Sequence, residues 1–250
     1  QSHYGMFLEY FGDTHSFQTF DDKTVNKKLI KQVHGTLEQN FDLLAELNKK
    51  GAGVFFTVNE TNLQGRTTKH IQKVRAVFID LDGTPLPKKF DVIPNLIVNT
   101  SPNKYHCYWI VKDMPMESFS LYQQALASKF NSDPKVKDLP RVMRVAGFFH
   151  HKKKPHPIRI VQCTDPSPYS MAEIREGLGL KRPEKKTFKY ETSQYQGKYT
   201  GSLKYGCGEG DRHETLVKML IAIRLRGEPF EYAKQEALEF AKLCNPPENP

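Results

Sequence analysis

Short apolar runs alternate with segments of helical spacing from the start of the chain to about residue 162. Between Thr36 and Leu47 the apolar positions Leu37, Leu43, Leu44 and Leu47 recur near the helical period. Lys49-Lys50-Gly51 then supplies a basic last turn and a stop. Val54-Phe55-Phe56-Thr57-Val58 reads as a strand, as do 76–81, 96–99, 106–111 and 158–161. Ser118 to Phe130 reads as a helix closed by Asp133-Pro134. This alternation predicts an α+β or α/β domain over residues 1–180. From 181 to 205 the composition shifts to Lys, Tyr, Thr, Ser, Gln and Gly, which predicts a basic linker or exposed tether. Residues 206–250 predict a small all-α unit. Asp211-Arg212-His213-Glu214 is an aspartate version of a capping box, Leu216, Leu220 and Ile223 share a face, and Gly227 is a stop. Pro229 opens a second helix in which Ala233, Ala237 and Phe240/Ala241 repeat until Pro246.

Composition narrows the class. With 38% hydrophobic and 26% charged residues the 250-residue chain has the balance of a soluble globular enzyme. No apolar run approaches the ~20 residues that a spanning helix needs, so no membrane partner is expected. Cys107, Cys163, Cys207 and Cys244 form no CxxC pair, which argues against a zinc ribbon or a disulfide framework and for a reducing, cytoplasmic setting. The net charge of +9 favours polyanionic partners. The chain begins at Gln1 and stops in Pro246-Pro247-Glu248-Asn249-Pro250, and reads as a piece of something longer.

Candidate chemistry begins at Val77-Phe78-Ile79-Asp80-Leu81-Asp82-Gly83, an apolar strand ending in two carboxylates. Side chains two apart on a strand share a face, so both acids can converge on one divalent ion, for which Mg²⁺ or Mn²⁺ suits hard oxygen ligands. The same residues also fit a plain strand cap. They also fit the first motif of haloacid-dehalogenase-type phosphatases, with Asp80 as nucleophile. That motif requires a later acidic one, and the only candidate, Gly210-Asp211-Arg212-His213-Glu214, lies at a helix start with no strand before it.

Three further clusters follow. Thr100-Ser101-Pro102-Asn103-Lys104-Tyr105-His106 is a turn whose free N–H groups, lysine and imidazole can hold a triphosphate. Asp138, Arg141 and Arg144 are spaced three apart, so a helical turn would set an acid and two guanidiniums on one side. Lys152, Lys153 and Lys154 lie among His150, His151 and His156 without regular ligand spacing, so they read as a solvated basic loop for nucleic-acid phosphates and no zinc is expected. Phe148-Phe149 reads as core.

The order Asp-x-Asp, Ser-Pro-x-x-x-His, Asp-x-x-Arg-x-x-Arg-x-x-Gly resembles the archaeo-eukaryotic primase superfamily, nearest the RepB-like primases of phages, plasmids and integrated elements. Phe17 to Asp22, His34 to Leu37, Gly51 to Asn59 and Gly65 to Arg75 agree, so the resemblance covers roughly Phe17 to Val161. Gly208 to Pro247 is similar to the small helical domain that follows such primases. The resemblance implies a primase-polymerase catalytic domain over 1–180, α+β with an RRM-like antiparallel sheet, followed by a C-terminal helical domain. It implies two metal ions on Asp80, Asp82 and Asp138, with Asp138 preferred to Asp133 for its register with the arginines. It places nucleotide binding at Ser101, Lys104, His106, Arg141 and Arg144. The implied partners are a single-stranded DNA template, ribo- or deoxyribonucleoside triphosphates and a helicase beyond Pro250. Relatives usually read Arg-Leu-Pro-Gly where this chain has Arg144-Val145-Ala146-Gly147. A non-catalytic single-strand or origin-binding module is the remaining alternative.

Overall fold

A computed structural model describes residues 3–24, 26–180, 212–225 and 227–244. In chain order the elements are α1 (His3–Glu9), β1 (His15–Asp21), β2 (Gln32–Gly35), α2 (Leu37–Lys49), β3 (Ala52–Thr57), β4 (Glu60–Thr61), β5 (Ile71–Lys73) and β6 (Ala76–Asp82). There follow β7 (Leu96–Ser101), β8 (Lys104–Ile110), α3 (Met116–Phe130), β9 (Val142–Arg144), β10 (Phe149–His150), β11 (His156–Pro157), β12 (Arg159–Cys163) and α4 (Met171–Gly177). A separate hairpin consists of α5 (Arg212–Leu225) and α6 (Phe230–Leu243). Two compact units result, 1–184 and 185–250.

The first unit is built on two four-stranded sheets, in the orders β2-β1-β3-β9 and β12-β7-β8-β6. Every pairing in both is antiparallel, so of the two classes the periodicity allowed, the fold is α+β. Phe7 of α1 and Phe11 just beyond it lie edge-on to both Phe56 of the first sheet and Tyr108 of the second, joining them in one apolar core. Thr36 and Gln39 close a reciprocal capping box at the start of α2. That helix stops at Gly51, whose φ of +100° suits glycine.

The second sheet carries the acids on β6, an edge strand paired only with β8. Its outward backbone groups at Phe78 are met by a side chain: buried Gln123 of α3 accepts from Phe78 N–H at 3.0 Å and donates to Phe78 O at 3.0 Å. The same amide donates to Val136 O at 3.1 Å. The segment after α3 turns at Asn131 (φ +48°) and docks on the strand end, with Asp133 N–H donating to Asp80 O at 3.1 Å.

The second unit packs Met219 and Ile223 of α5 against Phe240 and Cys244. Gly227 takes a φ of +78° between the helices and Pro229 precedes α6, as the turn residues predict. The predicted linker 181–205 and Asp211 of the predicted capping box lie outside the described residues. No helix among the described residues is long and apolar enough to cross a membrane.

Candidate active site

Asp80 and Asp82 project from one face of β6 at its end, directly opposite His106 and Lys104 of β8. Their side chains are 26% and 55% exposed, so both carboxylates reach solvent. Lys104 Nζ lies 2.5 Å from Asp82 Oδ1, and His106 Nε2 lies 3.7 Å from Asp80 Oδ1. The second spacing is too long for a hydrogen bond. The hairpin joining β7 and β8 has Pro102 at its first central position and Asn103 at a φ of +60°, as a type II turn requires. The expected turn therefore forms, and His106, two residues into β8, is buried.

That burial holds the His106 imidazole below the usual range; Asp80 pulls it up and Arg144 down. Its Nδ1 is 3.1 Å from the Tyr108 hydroxyl. Burial, helped by the Asp80 charge, pushes the Tyr108 phenol well above its ordinary value, so it stays protonated. With Tyr108 donating, the ring hydrogen sits on Nε2 and faces Asp80.

The groove beside this strand end encloses about 670 Å³ and gathers residues that are far apart in sequence. Ser101 and Lys104 of the turn line it together with Lys152, Lys153, Lys154 and His156 of the β10–β11 hairpin, and no lining residue is acidic. The hairpin is fixed by Asn48, which bonds Phe149 on both sides (2.8 and 3.0 Å), and by His150 Nδ1 at 3.1 Å from Thr100 O. His156 Nε2 meets Asn99 Oδ1 at 2.7 Å. Burial lowers both His150 and His156, so the positive charge of the groove comes from its lysines.

The Asp138, Arg141, Arg144 segment corrects the helical expectation. It is a turn, with Arg141 N–H donating to Asp138 O at 3.2 Å, followed by strand β9. Asp138 and Arg141 share a side and form an ion pair, while Arg144 leaves them for Asp22. Arg144 donates to both Asp22 oxygens, at 2.7 and 3.1 Å, and lies over the Phe55 ring at 4.5 Å. Asp22 is a partner that spacing could not reveal, since it stands 122 positions away. Its one signal in the sequence is the pair of adjacent acids, Asp21-Asp22. Phe149 corrects the core expectation for the aromatic pair: Phe148 is buried, but Phe149 is exposed. Among the described residues no three His, Cys, Asp or Glu side chains are grouped as a metal set; Asp138 stands with Arg141, not beside Asp80 and Asp82.

Two antiparallel sheets carry an acidic edge-strand end beside a basic groove, and solved primase and primase-polymerase domains share this fold. The AEP domain of the cyanophage S-2L primase-polymerase aligns over 70% of this chain and 96% of its own, at a TM-score of 0.56 and 18% identity. Primase RepB′ aligns over 94% of this chain and 84% of its own (TM-score 0.54, 19% identity). The catalytic domain of RepB′ in complex with initiator DNA aligns over 70% and 90% (TM-score 0.53, 21%). The chain belongs to the RepB primase family: the model of the RepB DNA-primase N-terminal domain matches residues 58–184, just over half of its length. A replication protein of Clostridium perfringens is 25% identical over 213 residues, covering 72% of this chain. The chain spans half the length of that relative. The family leaves the phosphatase reading of Asp80 without support.

Proposed function

We propose that this chain is the catalytic core of a DNA primase-polymerase, making primers on single-stranded DNA during replication of a phage, plasmid or other mobile element. One observation carries the reading: two carboxylates on one strand face adjoin a groove lined by lysines and free of acids. The solved relative that holds initiator DNA supports DNA as the partner.

The donor chemistry of the strand end fits a divalent ion. Mg²⁺ and Mn²⁺ take hard oxygens, keep several waters and share them with substrate phosphates, so one or two protein carboxylates suffice. Asp80 and Asp82 would hold the ions, with Asp138 as a third acid once it parts from Arg141. Such ions make the primer 3′-hydroxyl a better nucleophile and neutralise charge on the triphosphate. The chain's own groups do the rest. Lys104 lies between Asp82 and the groove and can face either. Ser101 and Lys152 to Lys154 offer a hydroxyl and cations to phosphate oxygens. Neutral His106, oriented by Tyr108, offers an N–H beside Asp80 without adding charge.

The test is incorporation of nucleotides on a mixed-sequence single-stranded template with Mg²⁺ or Mn²⁺, with ribo- and deoxyribonucleotides supplied in turn. The double variant D80A/D82A should lose synthesis by on the order of a thousandfold or more while still binding the oligonucleotide. Undiminished synthesis by that variant sinks the assignment. Salt-dependent binding with no synthesis by the wild type would favour a binding module.

A further inference from the structure

We infer that Asp22 is a positioning residue of the nucleotide site, holding Arg144 and the lysine hairpin in one fixed relation to the groove. The inference rests on the groove being the triphosphate site.

The geometry is that of a built joint. The Asp22 side chain is only 4% exposed, yet its carboxylate has partners in two separate segments. Both oxygens accept from the Arg144 guanidinium of β9. Oδ2 also accepts, at 2.8 Å, from the backbone N–H of His151, the residue immediately before Lys152. A single carboxylate at the end of β1 thereby ties a strand of the first sheet to the base of the hairpin that lines the groove. Charge-assisted bidentate pairs of this kind fix direction as well as distance. Phe55, cross-strand from Arg144, supports the other side of the guanidinium.

Gly53 makes room for the joint. A Cβ there would come within 2.6 Å of Asp22 Oδ1 and would strike the Arg144 guanidinium as well. The glycine is required by the ion pair rather than by a turn. Only two of the five N–H donors of Arg144 go to Asp22. Its charge reaches His106 beside the acids and His150 at the groove: burial is the main cause that lowers both imidazoles, and Arg144 adds to it. Without Asp22, Arg144 would be free to swing and the hairpin would lose its anchor at His151.

The experiment uses the full chain and three variants, D22N, R144Q and D22N/R144Q, with kinetics of primer extension and titration of a deoxynucleoside triphosphate and of tripolyphosphate. D22N should raise the nucleotide KM and weaken tripolyphosphate by about tenfold, the cost of one misplaced charge-assisted contact. Its kcat should stay within about threefold of wild type, because the acids are untouched. In the R144Q background the added D22N change should cost less than it does alone, since the two act as one unit. Unchanged KM and tripolyphosphate affinity in D22N, or fully additive losses, overturn the positioning role. A wild type that binds no nucleoside triphosphate overturns the functional reading with it, so the two failures are told apart. If D22N does not fold, G53A tests the same joint, because its methyl meets only side-chain ends. An unchanged KM in G53A likewise overturns the proposal.

Discussion

Replacing Gln123 by leucine should destabilise the strand that carries the acids, because one side chain here substitutes for a missing neighbouring strand. Edge strand β6 exposes the N–H and C=O of Phe78 away from β8, and buried Gln123 satisfies both at 3.0 Å while bonding Val136 O at 3.1 Å. Leucine fills similar space but makes none of the three bonds. At about 1 kcal/mol each, the loss is about 3 kcal/mol, and more if the three backbone groups stay dry and unpaired. For a unit of this size that corresponds to a fall in Tm of roughly 6–12 °C. Trp109, the only tryptophan, is buried in β8 beside β6, so its fluorescence in a urea titration reports this unit alone. Primer synthesis should fall as well, since Val136 lies in the segment leading to Asp138. Glutamate at 123 keeps the acceptor but loses both donors, so Q123E should be no better than Q123L. A Q123L midpoint within about 1 kcal/mol of wild type would show that Gln123 does not hold the strand.

Two other outcomes follow from the charges. Buried His15 is held down to about 4 by burial, with the Arg75 charge second, so the folded state keeps it neutral. The unfolded chain takes up that proton below 6.5, so its contribution is intact above pH 6.5 and is lost as pH falls towards 4. The loss reaches about 3 kcal/mol near pH 4; buried His106, also lowered, acts in the same direction. Urea midpoints at pH 7 and pH 5 measure it, and a variant with His15→Phe that retains the full acid sensitivity would contradict it. The second outcome concerns the lysine hairpin: K152Q/K153Q/K154Q should raise nucleotide KM by about tenfold at low salt and flatten its salt dependence. If oligonucleotide binding weakens instead and KM holds, the lysines serve the template.

Legibility in the sequence followed the strength of local signals. Strands β3, β6, β7 and β8 were readable because apolar runs are bounded by turn residues, and α2, α3 and the α5–α6 hairpin because their spacing and stops are local. Strand β1 was not, although it lies at the centre of the first sheet. Its run His15-Ser16-Phe17-Gln18-Thr19-Phe20-Asp21 buries polar residues whose partners lie outside the strand, as when Thr19 Oγ1 donates to Leu29 O at 2.7 Å. Alternation then fails as a signal, because a buried polar side chain with a partner resembles an exposed one. The ribbon β10–β11 has two residues per strand and exists through tertiary anchors such as Asn48.

At the site, the sequence singled out candidate residues more readily than it showed which of them meet. Regular spacing grouped Asp138, Arg141 and Arg144, yet the chain is a turn and a strand there, so the two arginines separate. Each acid instead faces a cation or imidazole that the fold supplies: Lys104 at Asp82, His106 at Asp80, Arg141 at Asp138, Arg144 at Asp22. Two of those pairs are cross-strand neighbours on antiparallel β6 and β8, and one spans a single turn. The fourth joins residues 122 apart and is the most buried. An ion pair that deep is weak evidence for stability, because desolvation offsets much of the attraction. Its persistence is better explained by orientation: a guanidinium held on both oxygens and backed by Phe55 can turn only if the joint breaks. The same carboxylate also accepts from the His151 N–H, so the constraint extends to the base of the lysine hairpin.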